Sequence, residues 1–192
     1  MAAPTELTEL LQGVKAGNRV ALDRLLVLLY DDLHRIAHQR MRVSGNDQTL
    51  NTTGLVHESY LRLLKVGRVD VDDRNHFLVY SARVMRSIIV DLVRKKAAER
   101  HGGGAQNVAL NTNLAGGICA SEDQVVRIND ALDELAQVDP TLVQVVEMRY
   151  FVGLSEQEIS AALGIAVRSV RRYWQKARLL LQAALEAHLQ EE

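Results

Sequence analysis

Apolar residues recur at spacings of three and four along most of the chain, and no stretch alternates apolar with polar positions. That period belongs to amphipathic helices. Leu7, Leu10, Leu11 and Val14 predict a short helix from Thr5 to Ala16. Asn18 suits the cap of a longer helix reaching about Met41, with Leu22, Leu25, Leu26, Leu29, Leu33 and Ile36 on its inner face. Arg40 to Gln48 is polar, carries one glycine and reads as a loop. A third helix begins near Asn51 or Thr52 and ends by Gly67. Leu55, Val56, Ser59, Tyr60, Leu63 and Leu64 point inward from it, which leaves His57, Glu58, Leu61 and Arg62 more exposed. A charged loop from Val66 to Asn75 leads into a long fourth helix, about Asn75 to Arg100, whose buried stripe is Phe77, Ala82, Met85, Ile88, Ile89, Leu92 and Val93.

The helical period then stops. His101 to Ser121 holds five glycines and almost no charge, the composition of a flexible linker. Beyond it, Glu122 to Val138 is helical with Val125, Ile128, Leu132 and Leu135 inward. Asp139 caps the next helix, Pro140 suits its first position, and Gly153 breaks it after about Phe151. The predicted architecture is all-α: two small helical domains, 1–101 and 122–192, joined by a linker at 102–121.

The stretch from Ser155 to Leu181 carries the strongest local signal. Ser155 and Glu158 form a capping box, and Gly164 suits the left-handed turn that ends a helix. A second helix starts near Val167, with Val170, Trp174, Ala177 and Leu181 inward. Arg168, Ser169, Arg171, Arg172, Tyr173 and Lys176 lie on its outer face. A capped helix, a glycine turn and a helix with basic residues near its start match the helix-turn-helix that reads the DNA major groove. The fourth predicted helix also ends in a basic run, Arg94, Lys95 and Lys96, with Arg83 and Arg86 further back.

Charge changes this picture. The chain's formal net charge is −1, whereas a protein that holds DNA unaided usually carries a basic surplus. Two locally basic helices on one tether suggest two weak contacts acting together, with something else supplying affinity. The single cysteine, Cys119, excludes an internal disulfide and points to a reducing cytoplasm. No apolar run is long enough to span a membrane, and no signal peptide is visible. His34 and His38 stand four apart near Asp31, but no third ligand follows at motif spacing, so neither a metal nor a cofactor nor an enzymatic role is expected.

These motifs together resemble a known family. GLVHESYLRLLK (Gly54 to Lys65), ARVMRSIIVDLVRKKAAERHGGG (Ala82 to Gly104) and VVEMRYFVGLSEQEISAALGIAVRSVRRYWQKAR (Val145 to Arg178) are similar, in order and spacing, to the extracytoplasmic function (ECF) sigma factors of bacterial RNA polymerase. The resemblance implies that 1–101 is sigma domain 2, which grips core polymerase and reads the −10 promoter element. It implies that 122–192 is sigma domain 4, which reads the −35 element. Thr53, His57, Glu58 and Leu61 would then face the clamp helices of the largest polymerase subunit, with the flap a further contact. The loop from Lys65 to Asn75 would hold a flipped base. Asn75, Arg83, Arg86, Arg94, Lys95 and Lys96 would follow −10 DNA, and Arg168, Ser169, Arg171, Arg172 and Lys176 would face −35 DNA. Only Phe77 and Tyr80 are aromatic near the −10 face, and Phe77 is expected to be buried, so poor promoter melting and a need for a close promoter match are expected.

One departure stands out. Many members start the clamp-binding helix with an Asp-Ala-Glu-Asp cluster; here the positions read Asn51, Thr52, Thr53 and Gly54. The lost acids, with the exit motif, look most like the subgroup associated with serine/threonine kinases. Phosphate on Thr52 or Thr53 would add about −1.5 to −2 charge. The alternative role for these threonines is to cap the helix. An anti-sigma factor stands beside a kinase as a possible control partner. The competing functional class is a stand-alone helix-turn-helix regulator, weakened by the net charge and the lack of an evident dimer helix.

Overall fold

The computed structural model describes residues 4–43, 51–101 and 122–190. Among the described residues the regular elements are helices, and the fold is all-α. They are α1 (Pro4–Lys15), α2 (Arg19–Leu28), α3 (Tyr30–Val43), α4 (Thr52–Val66), α5 (Arg74–His101), α6 (Glu122–Val138), α7 (Pro140–Val146), α8 (Glu156–Leu163) and α9 (Val167–Gln190), with a π-helical segment, Glu147–Val152, continuing α7. The glycine-rich linker at 102–121 and residues 44–48 of the loop expected from Arg40 to Gln48 lie outside the described residues.

Local chemistry explains most boundaries. Asn18 ends the turn after α1 and caps α2, accepting from the Val20 and Ala21 amides at 2.9 and 3.3 Å. Gly13 permits the close approach of α1 to α2, because a Cβ there would stand 2.6 Å from that of Ala21. Asp139 accepts from the Thr141 amide at 3.0 Å, with Pro140 at the start of α7. These are short-range signals, so they are readable in sequence.

Two expectations need correction, and one alternative falls away. The single helix expected from Asn18 to Met41 is broken at Leu29, whose φ of −104° and ψ of 14° leave the helical region. Leu29 stays buried, so the apolar stripe runs unbroken while the backbone does not. Asp31 and Asp32 give the new helix an acidic first turn, favourable at its positive end. Next, Arg40 lies in α3 and is 4% exposed, not in a loop. Finally, the cap of α4 is Asn51, which accepts from the Gly54 amide at 2.7 Å; Thr52 and Thr53 are already helical.

Helix α5 is the axis of the molecule. Phe77, Leu78, Ala82 and Met85 are fully buried, and Val79, Val84, Ile88, Ile89, Val90 and Val93 nearly so. That is more than one stripe, because α3 and α4 pack on one side while α6 and the π-helical segment pack on another. Burying each large apolar side chain contributes roughly 1.5–3 kcal/mol. The two helical units are therefore in contact, along the helix that bears the first basic run.

Candidate nucleic-acid interface

Helices α8 and α9 are set by backbone chemistry before any tertiary contact. Ser155 Oγ accepts from the Glu158 amide at 3.2 Å, and the Glu158 carboxylate accepts from the Ser155 amide at 2.8 Å. Those bonds favour the carboxylate and hold its pKa below the ordinary range. Gly164 turns the chain with φ 64°, in the left-handed region. Val170 and Ala177 are fully buried and anchor α9, while Trp174 and Leu181 are half-buried. The opposite face exposes Arg168, Arg171, Arg172 and Lys176, with Ser169 half-buried among them. The predicted −35 residues thus share one face.

Arg171 is also tied to α8. Its Nε lies 2.6 Å from Glu156, and Arg149 Nη1 reaches the other oxygen of the same carboxylate at 2.8 Å. The bond from Arg149, then that from Arg171, keeps the Glu156 pKa below its usual value. Arg149 lies 5.1 Å from the Trp174 ring centroid, so Trp174 is part of the packing that joins the π-helical segment to α9.

On α4, Thr53, His57 and Glu58 are exposed and Leu61 is half-buried. Their spacing puts them on one helix face. Thr52 is half-buried. No acidic residue stands in the first turn of this helix.

The loop before α5 is pinned instead of loose. Val69 and Val71 are each 2% exposed. Lys15 Nζ meets Asp70 and Asp72 at 2.7 Å each. The lysine's hydrogen bond lowers the Asp72 pKa, and the two carboxylates raise that of Lys15. Arg74 closes the loop's far end on Asp32 at 2.6 Å. Asn75 is half-buried and Phe77 fully buried.

The basic residues of α5 divide into two groups. Lys95 is exposed, 3.9 Å from Glu99, and Lys96 is half-buried. Arg83, Arg86 and Arg94 all face acids of the second helical unit. Arg83 Nε donates to Glu147. Arg86 lies 3.3 Å from Asp133 and 3.9 Å from Glu147, and Arg94 reaches Asp130 at 3.1 Å. The Glu147 side chain is wholly buried. Beside it, Arg40 stacks 3.5 Å from the Phe151 centroid and donates to the Ala82 carbonyl at 2.9 Å. The Arg40 pKa is lowered to about 9, chiefly by burial, with Glu147 opposing the shift and neighbouring Arg86 adding to it.

Sequence reasoning missed this second side: Arg40, Asp130, Asp133, Glu147 and Phe151. One signal was available. Glu147 interrupts the apolar run Val145, Val146, Met148, and an acid there must be paired if that run is buried.

A family model described as "ECF sigma factor" matches residues 4–187. The RNA polymerase sigma factor CnrH of Cupriavidus metallidurans is 30% identical over 125 residues, covering 62% of this chain. The match spans 65% of that relative's length. A solved structure, "Structure of CnrH in complex with the cytosolic domain of CnrY", is 22% identical, covering 95% of this chain and 98% of that one with a TM-score of 0.41.

Proposed function

The chain belongs to the ECF sigma factor family, and from that premise we propose that it is an alternative sigma factor that binds core RNA polymerase and directs it to particular promoters. The observation that carries this is the family match, which runs from α1 into α9 and so takes in both basic helices. In this reading Thr53, His57, Glu58 and Leu61 meet the polymerase clamp. Asn75, Arg83, Arg86, Arg94, Lys95 and Lys96 follow −10 DNA. Arg168, Ser169, Arg171, Arg172 and Lys176 meet −35 DNA, where Arg suits bidentate contact with guanine and Lys suits phosphate.

The same reading makes the start of α4 a phosphorylation switch for a serine/threonine kinase. Four considerations support it. The first turn lacks acids. Thr53 is exposed at the second helical position, whereas Thr52 is half-buried, so Thr53 is the better acceptor. A phosphate there meets the positive end of the helix dipole and restores negative charge toward a basic clamp. Since Asn51 already caps the helix, neither threonine is needed as a cap.

Transcription in vitro with core polymerase tests both levels. The protein should direct initiation from a matched promoter, and kinase treatment should raise both core affinity and transcript yield. Thr53→Ala should abolish the response, and Thr52→Ala should leave most of it. Equal core affinity before and after phosphorylation would sink the switch. Tight, sequence-specific DNA binding without polymerase, and no transcription with it, would sink the sigma-factor reading.

A further inference from the structure

We propose that the second helical unit is an internal competitor for DNA: in the free protein its acidic face, Asp130, Asp133 and Glu147, occupies Arg83, Arg86 and Arg94 and withholds them from nucleic acid. This rests on the DNA-facing role proposed for α5. The residues engaged are the ones that phosphate contact would need.

The contact has the form of an interface, not of scattered surface pairs. At its centre Ile89 and Val90 of α5 face Val125 and Ile128 of α6 and Phe151 across a cavity of about 40 Å³, whose wall also includes Arg40, Arg86 and Asn129. Beside that centre lies Glu147, fully buried, with Arg83 donating to one carboxylate oxygen and Arg86 3.9 Å from the other. A buried carboxylate is strongly disfavoured without such partners, so Glu147 holds its place only while those arginines face it. At the rim, Asp130 and Asp133 take Arg94 and Arg86; their side chains are 46% and 59% exposed. The first unit offers four guanidinium groups here, with Arg40, and the second unit offers three carboxylates. Opposite charges meet around the apolar contact, and such complementarity fixes register between partners.

DNA and this acidic face are therefore mutually exclusive ligands of α5. The acids are covalently joined to the arginines they cover, so they compete intramolecularly, at high effective concentration. Asp130, Asp133 and Glu147 are among the 24 acids that bring the net charge to −1, and these three lie against a basic helix. A device of this kind keeps a free sigma factor off DNA, and engagement of either unit by polymerase removes the competitor.

The test uses the full chain. Asp130→Asn/Asp133→Asn/Glu147→Gln removes the acidic face. Glu6→Gln/Glu9→Gln/Asp31→Asn removes the same charge at exposed positions of the first unit. Affinity for a labelled mixed-sequence duplex is read by anisotropy at low salt, and radius of gyration by small-angle X-ray scattering. The interface variant should bind about tenfold tighter, as expected for a closed state about 90% populated. Its radius of gyration should also rise. The charge-matched control should stay compact and within about twofold of wild type. If Glu147→Gln impairs folding, the exposed pair Asp130→Asn/Asp133→Asn alone must still shift both readouts in the same direction. Equal gains in the two charge variants would overturn the proposal, as would an unchanged radius of gyration, or an open variant that binds no tighter. Lys95→Ala in the open variant separates the two levels. If it weakens binding while opening brought no gain, only the masking fails; if it changes nothing, the DNA role of α5 fails with it.

Discussion

The loop between α4 and α5 offers a direct contest between two kinds of anchor. Val69 and Val71 are buried to 2% exposure, while Lys15 bridges Asp70 and Asp72 at side-chain exposures of 49%, 85% and 69%. Val71→Ala removes two buried methyl groups. At about 0.8 kcal/mol each that is ~1.6 kcal/mol, and the cavity left behind brings the loss to about 2 kcal/mol. Lys15→Met keeps the aliphatic stem and removes only a solvent-screened charge, whose contribution is small. Urea unfolding followed by circular dichroism reads the difference. With a slope of about 2 kcal/mol per molar, Val71→Ala should lower the midpoint by about 1 M at unchanged slope. Lys15→Met should leave it nearly in place, and added salt should abolish the remaining difference from wild type. Hydrogen exchange of the 67–73 amides should rise strongly in the first variant only. A Lys15→Met variant as destabilised as Val71→Ala would refute the reasoning, and would mean that the ion pairs hold this loop.

Three further outcomes follow from the second helical unit. Ser155→Ala should cost about 1 kcal/mol and speed exchange in α8, with little effect on exchange within α4. Gly164→Ala meets no atom within 4 Å, so its cost is the left-handed backbone alone, about 1 kcal/mol; Gly164→Asn should recover much of it. Acid titration of stability should show the carboxylates of α8. The folded pKa values of Glu156 and Glu158 lie below the ordinary 4.5, so their contribution is complete above that value and is lost as pH falls through and below it. Glu158→Gln should flatten that acid limb, and a limb unchanged by the substitution would contradict the assignment.

Much of the protein could be read from residue spacing. The helices, the caps at Asn18, Asp139 and Ser155, the turn at Gly164 and the basic face of α9 all depend on residues within one or two turns of one another. Side-chain periodicity and capping act at that range, so the chain states them openly. Even the charge deficit at the start of α4 is visible there, because it concerns four consecutive residues.

What only the tertiary structure decided has longer reach. The break at Leu29 carries no glycine or proline, and its apolar stripe reads as one helix. That Thr53 is exposed and Thr52 half-buried is likewise invisible in the sequence. Above all, the bonds from Arg83, Arg86 and Arg94 to Glu147, Asp133 and Asp130 join residues 64, 47 and 36 positions apart. Such pairs have no period, since loop closure and packing select them and not local geometry. A basic run announces attraction for negative charge, but the sequence leaves the source of that charge open. The fold supplies it from the chain's own second unit, because burying α6 and the π-helical segment against α5 carries their acids onto the same face.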